Sequence, residues 1–115
     1  MKGWYGKAKR DFLKGDMDYL VDAIRPLLVT SAYTPSLDMD EFMSDIAGAA
    51  QITGGLGDAL ASKTVSNGGV IDAADGYVPA VPAGQTPRAI VIVQYTGVQG
   101  TSRLILFTNE GIPLP

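Results

Sequence analysis

Hydrophobic positions change their period along this chain, from helix-like near the N-terminus to strand-like towards the end. Trp4, Ala8 and Phe12 recur every four residues, joined by Tyr5 and Leu13, with lysines between them. That spacing predicts one amphipathic helix over residues 4–14 with its lysines turned outward. Gly15-Asp16 is its stop, since glycine tolerates the left-handed cap geometry. The aromatic stripe serves either the core or a second subunit. Residues 17–22 fit a helical turn or the approach to a strand. Residues 24–30 are aliphatic and predict a buried strand, with Pro26 at its start or on an edge because proline has no N–H to give.

Tyr33-Thr34-Pro35 predicts a turn, with the proline φ fixed and Thr34 pushed towards extended geometry. Asp38 is placed as an N-cap, and Glu41 stands three residues on in the capping-box position. A short helix is therefore expected, turning Phe42, Met43 and Ile46 to the core and Asp40, Glu41 and Asp45 to solvent. Gly48, Gly54, Gly55 and Gly57 predict a flexible loop over residues 47–58.

Strands follow. Residues 60–65 alternate weakly, Asn67-Gly68-Gly69 signals a tight turn, and Val70-Ile71 begin a return strand that Tyr77-Val78 continue. Pro79, Pro82, Gly84 and Pro87 mark another loop. Residues 89–95 run Ala-Ile-Val-Ile-Val, a pattern that predicts burial on both faces. Residues 103–108, carrying Leu104, Ile105, Leu106 and Phe107, form the matching strand of an antiparallel hairpin. The fold expected is mainly β (α+β): an antiparallel β-sandwich or barrel-like domain with an N-terminal amphipathic helix and one short helix.

Composition narrows this to a single domain, since 115 residues suffice for one core. Residues 1–14 hold Lys2, Lys7, Lys9, Arg10 and Lys14 against Asp11 alone, whereas the remainder holds four basic and eleven acidic residues. The picture is a basic helical arm (residues 1–16) on an acidic, β-rich body (residues 17–115). DNA phosphates repel such a body, which argues against nucleic acid as its ligand. A charged content of only 18 % suggests a surface partly covered by a partner. No apolar run approaches the roughly 18–20 residues a bilayer-spanning helix needs, and no apolar stretch follows the N-terminal basic residues to make a signal peptide.

The chain has no histidine and no cysteine. A serine–histidine triad, a histidine-ligated zinc site, disulfides and thiolate metal sites are thereby excluded. Carboxylates cluster at Asp38, Asp40, Glu41 and Asp45, and again at Asp72 and Asp75. A calcium site is one reading, but the spacing departs from the twelve-residue calcium loop, and capping and Asx-type turns account for both clusters. Gly54-Gly55-Leu56-Gly57-Asp58 lacks the lysine and hydroxyl ending of a phosphate-binding loop. No catalytic residue, cofactor or metal is assigned.

Four features, in order, carry a resemblance: the helix ending Leu13-Lys14-Gly15-Asp16; the Tyr33-Thr34-Pro35 turn leading to Asp40-Glu41-Phe42 and Ser44-Asp45-Ile46; Leu60, Lys63-Thr64-Val65, Gly69-Val70 and Asp72-Ala73; and Ala89-Ile90-Val91-Ile92 with Thr96-Gly97, Leu104-Ile105 and Gly111-Ile112-Pro113. Together they cover most of the chain, which resembles a family of small tailed-bacteriophage virion structural proteins. Members usually continue past the proline-rich end into a glycine turn and a final strand. The resemblance therefore implies a closing strand beyond Pro115, from a longer chain or from elsewhere.

It further implies a non-enzymatic minor capsid or decoration protein, assembled in the host cytoplasm and bound as a homo-oligomer to the major capsid protein of the virion. A neck or tail component is the alternative. A carbohydrate-binding or carboxylate-dependent hydrolytic module is a further alternative; the capsid reading expects no nucleic acid, no membrane and no small-molecule substrate. In the capsid reading Lys7, Lys9, Arg10 and Lys14 meet acidic patches of the shell. Trp4, Tyr5 and Tyr33 are the candidate anchors, because aromatic side chains dominate interface energetics, and a place in the core is the equal alternative for each.

Overall fold

The computed structural model describes residues 2–57, 64–65, 71–72 and 88–108. Five strands form one antiparallel sheet: β1 (Lys2–Trp4), β2 (Ile24–Val29), β3 (Gln51–Leu56), β6 (Ala89–Gln94) and β7 (Arg103–Thr108), in the order β1-β7-β6-β2-β3. Strands β4 (Thr64–Val65) and β5 (Ile71–Asp72) pair separately, also antiparallel. Among the described residues one helix, α1 (Gly6–Lys14), and two short 3-10 turns at Met43–Asp45 and Gly48–Ala50 join these strands. The mainly β, α+β class expected from the sequence is the class observed.

The β6–β7 hairpin matches expectation, with Ile90 opposite Thr108 and Gln94 opposite Arg103. Burial along β6 alternates, however. Ala89, Val91 and Val93 are buried, while Ile90, Ile92 and Gln94 are partly covered, so only one face is fully inside. The apolar run is longer than burial alone requires because β-branched residues also suit the pleated surface itself.

Pro26 corrects a second expectation. Strand β2 lies inside the sheet between β6 and β3, and Pro26 is buried there. Its carbonyl accepts from Gly57 N at 2.7 Å, on the β3 side. In a strand the N–H and C=O of one residue share a side, so the missing donor faces the end of β3, where the ladder is irregular between Leu27 and Val29.

Strand β3 itself replaces the flexible loop expected over residues 47–58. Its glycines add few side-chain contacts, but backbone pairing with β2 and the buried Ile52 hold it. Composition signals a loop there because ladder hydrogen bonds leave no trace in residue type.

At the N-terminus the helix begins later than its hydrophobic period suggests. Trp4 sits on β1 opposite Leu106, and Tyr5 N donates to Ile105 O at 3.0 Å. The end is as expected: Gly15 has φ 82°, its N–H reaches Asp11 O and Phe12 O, and Asp16 N donates to Asp11 O at 2.9 Å.

The expected short helix after Asp38 is absent. Residues 36–40 turn, Phe42 bridges to Arg103, and one 3-10 turn follows. Its cap comes from behind. Asp45 Oδ2 accepts from Glu41 N at 2.7 Å and Phe42 N at 2.9 Å. Asp38 caps no helix.

Residues 17–22 form a turn in which Asp18 O accepts from Val21 N and Asp22 N, with Met17 and Tyr19 in the core. In the β4–β5 pair Thr64 stands opposite Asp72 and Val65 opposite Ile71, and the tight turn expected at Asn67-Gly68-Gly69 falls on residues that are not described. That turn, Leu60, Val70, Asp75, Tyr77, Val78, Pro79, Pro82, Gly84, Pro87 and residues 111–115 lie outside the described residues.

Candidate functional site

Of the seven candidate interface residues, α1 supplies four, and the structure divides them. Helix α1 packs against β7, burying Ala8 and Asp11. Asp11 is 2 % exposed and takes Arg10 Nε on Oδ1 at 3.0 Å. Arg103 Nε stands 3.2 Å from Asp11 Oδ2, a charge contact without the alignment of a hydrogen bond. Arg10 Nη2 also donates to Glu41 Oε2 at 2.9 Å, and Lys7 Nζ approaches Glu41 Oε1 at 3.8 Å. Hydrogen bonds to Asp11 and Glu41 hold the Arg10 guanidinium even more firmly protonated than usual.

The expected basic arm is therefore a docked helix. Lys7 and Arg10 are compensated within the chain, and Glu41, expected to face solvent, binds them. Lys14 pairs with Asp16 at 3.3 Å across an exposed surface, a contact of the kind worth about 0–1 kcal/mol. Lys9 is exposed and makes no ion pair among the described residues.

Tyr5 is a core residue, 0 % exposed, and cannot be a partner anchor without unfolding. Its Oη lies 2.6 Å from Tyr33 Oη, and Tyr33 Oη donates to Asp40 Oδ2 at 2.8 Å. Tyr33 gives its one proton to the carboxylate, so Tyr5 donates to Tyr33. Asp40 Oδ2 also accepts from Ser36 N at 3.0 Å, which stitches the Tyr-Thr-Pro turn to the following segment. Burial pushes both phenols well above their ordinary range. For Tyr33 the hydrogen bond with Tyr5 and the Asp40 charge add to it, while for Tyr5 the bond to Tyr33 works the other way. Tyr33 further packs edge-on against Phe107, centroids 6.0 Å apart. Both tyrosines thus support the fold.

Trp4 remains at the surface, half-buried and T-shaped against Phe12 with centroids 6.3 Å apart. It lines a groove of about 360 Å³ with Phe12, Met17, Tyr19 and Leu20. Of the lining residues Leu20 is 51 % exposed, and its chain neighbour Val21 and the helix residue Leu13 are 78 % and 89 % exposed.

Sequence reasoning placed Leu13 in the core stripe and missed Leu20 and Val21. Each helical residue advances about 100°, so Leu13 lies about 200° round from the buried Asp11. A buried aspartate at the centre of the inner face is what hid the true orientation.

A second pocket, about 220 Å³, is lined by Thr30, Ser31, Tyr33, Thr34, Arg88 and Phe107 among others. Among the described residues no group of three carboxylates is placed to hold a metal ion, and no helix there is long and apolar enough to cross a membrane. No protein-family model, curated protein or solved structure matches the chain.

Proposed function

We propose that the chain is a structural protein of a tailed-bacteriophage virion, a minor capsid or decoration protein that binds and stabilises the capsid lattice. The observation that supports this reading is how the segment over residues 33–46, the most specific part of the family resemblance, spends its polar side chains. Tyr33 and Asp40 close the turn, Glu41 anchors α1, and Asp45 caps a 3-10 turn. Groups that would do acid–base chemistry in an enzyme are here committed to holding a shape.

Among the described residues this shape also turns large apolar side chains outward: Leu13, Leu20, Val21, Met39 and Val98. Surfaces of that kind bind other proteins, and many weak copies on a symmetric shell add up. The groove at Trp4 suits a sugar less well, because its lining converges few polar groups and Asp18 Oδ1 is already engaged by Leu20 N.

Mixing the purified protein with shells stripped of it tests the proposal. Co-sedimentation with the shells and a higher shell melting temperature are expected. Protein that stays in the supernatant, with shell melting unchanged, contradicts it.

A further inference from the structure

We infer that the pocket where β2 leaves the sheet and β6 enters it binds a carboxylate carried on a small apolar body. The backbone sets its walls. Val29 stands opposite Ala89, and Arg88 N donates to Val29 O at 2.9 Å, so Thr30 and Arg88 lie at adjacent strand ends. Tyr33 N donates to Thr30 O at 3.3 Å and Ala32 N to Thr30 Oγ1 at 3.2 Å, a tight turn that sets Tyr33 edge-on against Phe107. Tyr33 Oη is held in turn by Asp40, so this wall stands before any ligand arrives.

The lining identifies the ligand. Ala89, Phe107, Pro35 and the Tyr33 ring supply an apolar floor. The Arg88 guanidinium and the hydroxyls of Thr30, Ser31 and Thr34 can all donate, and no carboxylate stands among the described lining residues. Thr30 Oγ1 accepts from Ala32 N, which leaves its own proton to give.

Arg88 is also the spare arginine. Arg10 pairs with Asp11 and Glu41, Arg103 with Asp11, and Arg25 donates to Gly57 O. The Arg88 guanidinium is exposed and has no ion pair or hydrogen bond among the described residues. A planar guanidinium matches a carboxylate with two parallel hydrogen bonds. One such cation, in a chain of net charge -3, suits a monoanion better than a phosphate dianion. The volume of about 220 Å³ is below the roughly 300–1,000 Å³ of drug-sized sites, so the apolar body is about one ring or a short aliphatic chain.

The inference is read on the isolated protein and stands or falls apart from the capsid reading. Titrating the isotope-labelled full chain with phenylacetate, followed by amide chemical shifts, tests it. Saturable shifts are expected at Thr30, Ser31, Thr34, Arg88 and Ala89. Phenylacetamide, of the same shape without the charge, and inorganic phosphate should each bind at least roughly tenfold more weakly. Arg88→Gln should weaken phenylacetate binding by a similar factor. Arg88→Lys should restore part of it, since the charge returns without the fork. Lys9→Gln, exposed on α1, should leave it unchanged. Arg88 is a surface residue, and unshifted amides away from the pocket confirm that its variants fold.

A peptide ending in phenylalanine with a free carboxyl group, set against the same peptide amidated, separates two sources of the carboxylate. Binding of the free-acid peptide assigns the site to a protein chain end. Binding of phenylacetate without the peptide assigns it to a small free acid, and either result supports the pocket. No saturable shift at these amides with either probe would overturn the inference. So would phenylacetamide or phosphate binding as tightly as phenylacetate, or an Arg88→Gln variant that binds like the wild type.

Discussion

Asp11 decides how α1 is attached. It lies almost fully buried between Arg10 and Arg103, where a carboxylate is tolerated only with its partners in place. Asp11→Leu should lower unfolding free energy by about 2 kcal/mol or more, somewhat less than a fully buried pair because Arg103 keeps partial solvent contact. The double variant Asp11→Leu with Arg103→Met should recover much of that loss in chemical denaturation. A double variant no better than the single one would show that the pair is not the reason for the cost.

The tyrosine pair gives a pH signature of definite sign. Tyr5 and Tyr33 have folded pKa values above the ordinary 10.0, so the native state favours the protonated phenols. Their contribution is complete below pH 10 and declines as pH rises beyond it. Thermal melts should therefore fall above pH 10 in the wild type and fall less steeply in Tyr33→Phe. That variant should also lose about 1–2 kcal/mol at neutral pH, because Tyr5 and Asp40 each lose a partner.

Asp45 works in the opposite sense. Hydrogen bonds from Phe42 N, then Glu41 N, hold its pKa below 3.8. Its contribution is present above pH 3.8 and is lost as the pH falls through the lower folded value. The sequence left Tyr5 open between core and partner, but it gave Asp11 only as one negative charge in the N-terminal count and Asp45 as a solvent-facing carboxylate, so the last two roles were not legible from residue type.

Among the elements, those carried by periodicity were readable and those carried by backbone pairing were not. Strands β2, β6 and β7 follow from aliphatic runs, and the end of α1 follows from Gly15. Strand β3 is invisible because Gly54 and Gly55 are poor strand formers whose place is set by β2. Trp4 kept the helical period yet was drawn onto β1 by the free edge of β7. The short helix after Asp38 failed because Phe42 is bridged to Arg103 and extended.

Two measurements follow at this scale. Gly15→Ala forces a Cβ into φ 82° and should cost about 1 kcal/mol, read from denaturant midpoints. Ladder pairing predicts slow amide exchange at the β3 amides bonded to β2, against the rapid exchange that a loop would give. Fast exchange along all of residues 51–56 would remove β3 from the stable sheet.

At the scale of the molecule, the described residues form a five-stranded antiparallel sheet with a helix latched to it by charge, beside a two-stranded pair, and Asp11, Tyr33, Asp40 and Glu41 spend their polar groups on partners within the chain. A component of a repeating shell needs such rigidity, together with an outward apolar face that gains strength from copy number. The N-terminal segment named from the sequence as the candidate site has Lys7 and Arg10 turned to Glu41, Lys9 left exposed, and Leu13, read as part of the inner stripe, exposed as well. Quantitative mass spectrometry of gradient-purified virus particles, from a lysate in which this chain is produced, tests the proposed structural role most directly. The account predicts the chain in a fixed ratio to the major capsid protein, retained through repeated gradients. Its recovery in the soluble lysate fraction, with none in the particles, would contradict the account.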